Sequence, residues 1–179
     1  MTTFSAFVYI YQRYDHFWLM RMAVIDTRTK RWGIAWLALA AALALHILDE
    51  VLTDFLPFYN SIIRSLRATF AWTPFPTFTF TEWIAGLVVG TVLLFLLSPL
   101  VFSGYRFLRP VSYFLGILMV VNGFGHIGAS IYLGSFAPGF FSSPLLILSG
   151  TALLATTYGT RRCKPLDRNG VLPQKSGRK

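Results

Sequence analysis

The sequence predicts an all-α protein: a four-helix transmembrane bundle with a short N-terminal amphipathic arm and a disordered basic C-terminal tail. Three observations lead there. Of 179 residues, 55% are hydrophobic and 13% charged, where soluble domains carry about 25% charged residues. The apolar residues fall in blocks, and residues 83–105 and 110–160 contain no Asp, Glu, Lys or Arg. The basic residues cluster between the blocks.

A helix needs about 20 apolar residues to cross a hydrocarbon core of about 30 Å. The block at 83–105 fits one span. The block at 110–160 is too long for one and fits two, folded at the break Ser135-Phe-Ala-Pro-Gly-Phe-Phe-Ser-Ser-Pro144. A further span starts at Trp32 and runs through WGIAWLALAAALALHILDEVL, apolar until His46 and Asp49. Four helices are expected, at about 32–56, 82–103, 110–134 and 144–161. They form one domain over 32–161, preceded by an arm over 1–31 and followed by a tail over 162–179. A bundle follows because unsatisfied backbone cannot face lipid.

Charge sets the orientation. Arg13, Arg21, Arg28, Lys30 and Arg31 precede the first span, and Arg106 and Arg109 lie between the second and third. Arg161, Arg162, Lys164, Arg168, Lys175, Arg178 and Lys179 follow the fourth. The other side holds Arg64 and Arg67 with Asp49, Glu50, Asp54 and Glu82. The positive-inside rule puts both termini in the cytoplasm. The net charge of +9 is thus a topological signal and a source of lipid-headgroup contact, and nucleic acid is not an expected partner. The single cysteine, Cys163, leaves no internal disulfide and no CxxC metal signature.

In the arm, Phe4, Phe7, Val8, Tyr11, Tyr14, Trp18, Met22 and Ile25 recur at helical spacing, which predicts an amphipathic helix on the membrane surface. Arg13 and Asp15 interrupt it, so it does not read as a signal peptide. Between the first two spans, Ile62, Ile63, Leu66 and Phe70 suggest a short surface helix. The aromatic, proline-rich stretch Trp72 to Trp83 follows, and is either an interfacial anchor or a lid. Thr79 and Glu82 have capping-box spacing. Gly86 and Gly90 form GxxxG, and Gly125 with Ala129 gives its looser version, both expected to let helices approach closely. Pro99 should kink the second span, and Pro110 opens the third at a position that needs no N–H.

Polar residues inside the spans carry the functional reading. His46-Ile-Leu-Asp49-Glu50 sets two carboxylates three and four residues from an imidazole. Asn122-Gly-Phe-Gly-His126 sets two more polar side chains four apart. From Trp32, His46 lies about 21 Å along its helix and Glu50 about 27 Å; from Pro110, His126 lies about 24 Å along. Both helices run outward, so the two groups reach one depth. Intramembrane ionisable groups cost about 2.5–3.5 kcal/mol each on insertion scales, so they face one another or water. Asp49 and Glu50 also oppose the helix dipole and need a countercharge, which a cation or a protonated histidine supplies. The competing reading is that the two acids mark where the first helix leaves the membrane, with structural histidines beside them. Glu82 is explained by capping, Asp54 by solvation, and His16 lies on the wrong side.

In order and spacing, HILDE, NGFGH and FAPGFFS together resemble the HXXEE family of small prokaryotic membrane proteins of undefined function. Its pattern is H-x-x-E-E, then N-x-x-x-H, then Y-x-P-G-x-x-T, and the likeness covers about 32–160. The resemblance implies one site formed by His46, Asp49, Glu50, Asn122, His126, Phe136, Pro138, Gly139 and Ser142, in a prokaryotic inner (plasma) membrane. Asp49 stands for the first Glu, Phe136 for Tyr and Ser142 for Thr.

Three functions remain open. The first is a metal-dependent membrane enzyme in which His46, Glu50 and His126 hold a divalent metal, zinc or iron. Asp49 and Glu50 would then act as catalytic carboxylates, and Asn122 would orient His126 or a bound oxygen. Pro138, Gly139 and Ser142 would support the site, and a lipid or other apolar small molecule would be the substrate. The second is a metal-free acid–base isomerase or proton-coupled transporter. The third is a non-catalytic interaction or lipid-binding protein.

Overall fold

The computed structural model describes residues 27–161, without the side chains of residues 160 and 161. The expected arm helix over 4–25, His16, Cys163 and the expected disordered tail lie outside the described residues. Within them the chain is all-helical: α1 Thr27–Leu52, α2 Phe55–Thr69, α3 Phe80–Phe102, α4 Leu108–Leu133 and α5 Ser143–Arg161.

Three of these helices, α1, α3 and α4, are long and apolar enough to cross a membrane, where the sequence predicts four. The exception is α5. It has 19 residues, but Ser143, Ser149, Gly150, Thr151, Thr156, Thr157 and Gly159 dilute its apolar content.

The first helix departs from expectation at both ends, starting at Thr27 and stopping at Leu52. The break has a backbone cause: Asp54 takes a left-handed conformation, with φ 55° and ψ 42°. An L-residue enters that region at a cost, and Asp is among the few that do so readily. The chain turns there into α2, which begins well before the Ile62–Phe70 pattern and buries Leu56 and Ile63. Asp54 is exposed, as its solvated reading requires.

The start of α3 follows its sequence signal. The Thr79 hydroxyl accepts from the Glu82 N–H, and the Glu82 carboxylate accepts from the Thr79 N–H at 2.9 Å, the reciprocal capping box. Pro99 lies inside α3. Pro110 occupies the first turn of α4, where its missing N–H has no intrahelical partner to lose.

Helix α1 is the centre of the bundle. It packs against α3 on one flank and α5 on the other, and α5 packs in turn against α4. Trp32, Trp36 and Leu39 are fully buried along its inner stripe. Both indoles find acceptors: Trp32 donates to the Ser112 hydroxyl at 3.0 Å, and Trp36 to the Leu94 carbonyl at 2.8 Å. An unpaired indole N–H in such a core would cost about 1–3 kcal/mol.

One end of the bundle gathers the start of α1, the end of α3, the start of α4 and the end of α5. The Phe102 ring lies against Gly33, and Arg28 reaches the Gly159 carbonyl at 3.4 Å. Arg28, Lys30, Arg31, Arg106 and Arg109 share this end, while Asp49, Glu50, Asp54 and Glu82 lie toward the other.

The glycines that permit close packing are not those the sequence pattern singles out. A Cβ on Gly86, Gly90 or Gly125 would meet nothing within 4 Å, so those positions face outward. The close approach is between α4 and α5. A Cβ on Gly150 would lie 3.0 Å from the Gly116 carbonyl, and one on Gly123 would lie 3.0 Å from the Ser143 carbonyl. GxxxG marks a smooth helix face but not which way that face looks. Replacing Gly150 by Leu should therefore destabilise the fold by about 1–3 kcal/mol through overpacking. Gly90→Ala should be neutral or stabilising, because only helix propensity changes. Thermal unfolding in detergent reads both, and an unaffected Gly150→Leu would show the crossing to be looser than described.

Candidate metal centre at the acidic end of the bundle

His46 and Glu50 lie one turn apart on the inner stripe of α1, and His126 faces them from α4. All three are buried, at 2%, 5% and 7% exposure. The Glu50 Oε1 atom lies 3.4 Å from His46 Nε2 and 3.3 Å from His126 Nε2. The two imidazoles meet edge to face with centroids 4.9 Å apart. One ligand atom from each of the three residues falls within 4.8 Å of the others, so the group can hold a metal ion. The two histidines expected at one depth on the first and third spans do come together.

Each ring is fixed from behind. His126 Nδ1 pairs with the Pro138 carbonyl at 2.5 Å. A carbonyl can only accept, so Nδ1 carries the proton and Nε2 of the neutral ring does not. His46 Nδ1 lies 2.7 Å from the Ser142 hydroxyl. That hydroxyl gives its proton to Asp49 Oδ2 at 2.6 Å, and the same carboxylate oxygen accepts from the Ser142 backbone N–H at 2.8 Å. With its proton committed, the Ser142 oxygen accepts from His46 Nδ1–H. In the neutral form of the two rings both Nε2 atoms present a lone pair on the Glu50 side, and His46 Nε2 makes no hydrogen bond.

The turn between α4 and α5 makes this arrangement. Gly139 has φ 79°, and a Cβ there would sit 2.7 Å from His126 Cε1. Only glycine both adopts that backbone and leaves room for the ring. Thr53 bonds the Gly139 N–H at 3.1 Å and the Asp49 carbonyl at 2.6 Å, tying the turn to the end of α1. Ser130 accepts from the Ala137 N–H at 2.9 Å and donates to the His126 carbonyl at 2.9 Å. Thr53 and Ser130 are missed by a reading of the sequence alone. Their one available signal is position, each four residues after a site residue, Asp49 and His126.

The remaining expected site residues fall into two groups. Pro138, Gly139 and Ser142 touch the histidines as described, whereas Phe136 is 70% exposed and stacks with Phe140 and Phe141. Asp49 lies outside the three-residue cluster and faces Ser142 instead. Asn122 lies one turn before His126, but the ring nitrogen it was expected to hold is taken by Pro138. Its Oδ1 is buried with no hydrogen-bond partner.

Aromatic rings pack beside His126 at the acidic end. The Phe55 ring lies 5.3 Å from His126 and 6.1 Å from Trp83. The aromatic stretch before α3 is latched onto α2: Arg67 donates to the Phe75 carbonyl at 2.7 Å, Tyr59 to that of Pro76 at 3.1 Å, and Asn60 pairs with Phe78 in both directions.

Gly139→Ala should cost more than the about 1–2 kcal/mol of a left-handed alanine, because the added methyl also displaces His126. Phe136→Tyr, which restores the aromatic hydroxyl of the family pattern at an exposed position, should leave stability within about 0.5 kcal/mol. Thermal melts of the two variants check this contrast, and equal melting temperatures would contradict the role given to the turn.

No curated protein and no solved structure matches the chain. The family model described as "Protein of unknown function with HXXEE motif" matches residues 36–154, which takes in α1 from Trp36, the histidine pair, the turn and most of α5. In this chain the motif reads His46-Ile-Leu-Asp49-Glu50. Matching well over half of the sequence on these residues, the chain belongs to the HXXEE family.

Proposed function

We propose that this protein is a metal-dependent membrane enzyme in which His46, His126 and Glu50 hold one divalent cation, zinc or iron(II), next to a lipid or other apolar substrate. The observation that carries the reading is the spacing of the three facing atoms in one buried cluster. Two imidazole nitrogens stand 3.3 and 3.4 Å from one carboxylate oxygen. A charge-assisted N–H···O bond would be drawn in to about 2.7–2.9 Å. Ligands on a tetrahedral ion with bonds of about 2.0–2.1 Å stand about 3.3 Å apart. Both separations match those of ligands sharing one ion, and all three atoms lie within 4.8 Å of one another.

Two imidazoles and a carboxylate are a common ligand set for zinc and non-haem iron, with at least one position left for water or substrate. Bound there, the ion supplies Lewis acidity and a bound water acidic enough to react near neutral pH. Asp49 works through Ser142, holding His46 in the tautomer that frees Nε2. The Pro138 carbonyl does the same for His126. Phe55, packed between His126 and Trp83, covers one side of the cluster.

The membrane setting belongs to the same proposal. We place α5 as a fourth span beside the three apolar helices, since it packs along both α1 and α4. The hydroxyls of Ser149, Thr151, Thr156 and Thr157 return to carbonyls of their own helix, which satisfies them in an apolar medium. The basic end then faces the cytoplasm of a prokaryotic cell, with both termini there.

A second reading has one observation in its favour: the chain Asp49–Ser142–His46 is continuous and could pass a proton to Glu50 without metal. Elemental analysis separates the two. Protein purified in mild detergent, or reloaded with zinc or iron(II), should hold about one ion per chain. His126→Ala and Glu50→Gln should lose it while keeping their helical circular dichroism. Ser142→Ala should weaken metal affinity by about 10–100-fold, and Ser142→Thr should restore it. Wild-type protein that stays metal-free after reloading would contradict the metal reading and leave the metal-free acid–base and non-catalytic readings.

A further inference from the structure

The bundle is open along one edge. Helices α3 and α4 are joined by a turn of only residues 103–107, yet they do not pack along each other; α3 rests on α1, and α4 on α5. His126 looks across the bundle at α1, so its neighbours on α4 can be placed by helical rotation. At about 100° per residue, Gly123 and Gly116 lie about 60° and 80° to one side of His126, and Asn122 about 40° to the other. Gly116 and Gly123 face α5. Asn122 is thus on the opposite flank, between the metal-binding face and the open edge. Its half-buried side chain and its buried, unpartnered Oδ1 agree with that place.

An acceptor left unpaired in this setting costs about 1–3 kcal/mol, and Asn122 is not needed to orient His126, which Pro138 holds. Phe55 and Trp83 close the acidic end of the edge. Below that closure the flank of α4 on the Asn122 side is apolar and exposed at Val111, Leu118 and Phe114, about 60°, 80° and 120° round from His126. A molecule reaching the cluster this way has to be apolar along its length and polar at its tip.

We infer that Asn122 is a substrate-binding residue, and that the ligand is a long-chain lipid derivative whose polar end carries a hydrogen-bond donor, a hydroxyl or an amide N–H. The donor bonds Asn122 Oδ1, which sets the adjoining carbon atoms beside His46, Glu50 and His126, while the chain lies between α3 and α4. This deepens the reading of that cluster as a reaction site and rests on it for the chemistry, but binding at Asn122 can be measured with or without metal.

The test uses the full-length protein in phosphatidylcholine nanodiscs and two photoreactive probes. One is a long-chain alcohol with a diazirine on its chain; the other is its O-methyl ether, which keeps the oxygen and lacks the donor. The alcohol should label α4 and the facing residues of α3 at least about fivefold more than the ether, a modest share of the roughly tenfold that one hydrogen bond commands. In Asn122→Leu the excess should vanish while metal content is unchanged. The alcohol–ether comparison needs no variant, so a poorly folding Asn122→Leu would not remove the test. Equal labelling of wild type by the two probes, or a preference that survives Asn122→Leu, would overturn the inference. An Asn122-dependent preference in protein that binds no metal would uphold the ligand site and sink the metal reading alone.

Discussion

A carboxylate buried in an apolar bundle has to be answered by positive charge, and the arrangement around Glu50 is organised by that requirement. Taking such a group out of water costs several kcal/mol even after the surroundings relax. Here its nearest neighbours are two imidazole nitrogens, on rings whose Nδ1 atoms are bonded to Ser142 and to the Pro138 carbonyl. The geometry is electrostatically incomplete as a purely neutral set of side chains. The groups that hold the two Nδ1 atoms are a peptide carbonyl and a serine fixed by a backbone turn.

That requirement explains why so much of the scaffold converges on nine residues between α4 and α5. Gly139 supplies the backbone angle, Pro138 the carbonyl, and Ser142 the hydroxyl that links His46 to Asp49. Thr53 and Ser130 pin the turn to the two helices that carry the ligands. At the opposite end Trp32 and Ser112 fix the separation of α1 and α4, and the glycine contacts let α5 sit close against α4. The result is two helices held on a diagonal, meeting through polar side chains at their ends while one side of the bundle stays open.

Much of this was legible in the sequence, and the gaps have physical reasons. The helices could be placed because uncharged apolar runs of that length have few other uses. Their ends could not, because the left-handed Asp54 that stops α1 leaves no trace in hydropathy. His46, Glu50 and His126 could be paired by counting rises, since depth along a helix is a one-dimensional quantity. Asp49 was harder. Spacings of three and four read alike on paper, but position 50 falls on the inner stripe and position 49 turns aside to Ser142. The same limit applies to Asn122, whose spacing suggested a hydrogen bond to His126 that the Pro138 carbonyl makes instead. The count of spans differed because a run without charged residues reads as one apolar block, whereas the serines, threonines and glycines of α5 dilute its apolar content.

X-ray absorption at the edge of the bound metal is the most direct test of the central claim, that the lone pairs of His46 and His126 converge with Glu50 on one cation. The account predicts a first shell of nitrogen and oxygen only, at about 2.0–2.1 Å. It also predicts the outer-shell scattering of two imidazole rings, falling to that of one ring in His126→Ala protein supplied with excess metal. A shell without imidazole scattering, or one that His126→Ala leaves unchanged, would contradict it.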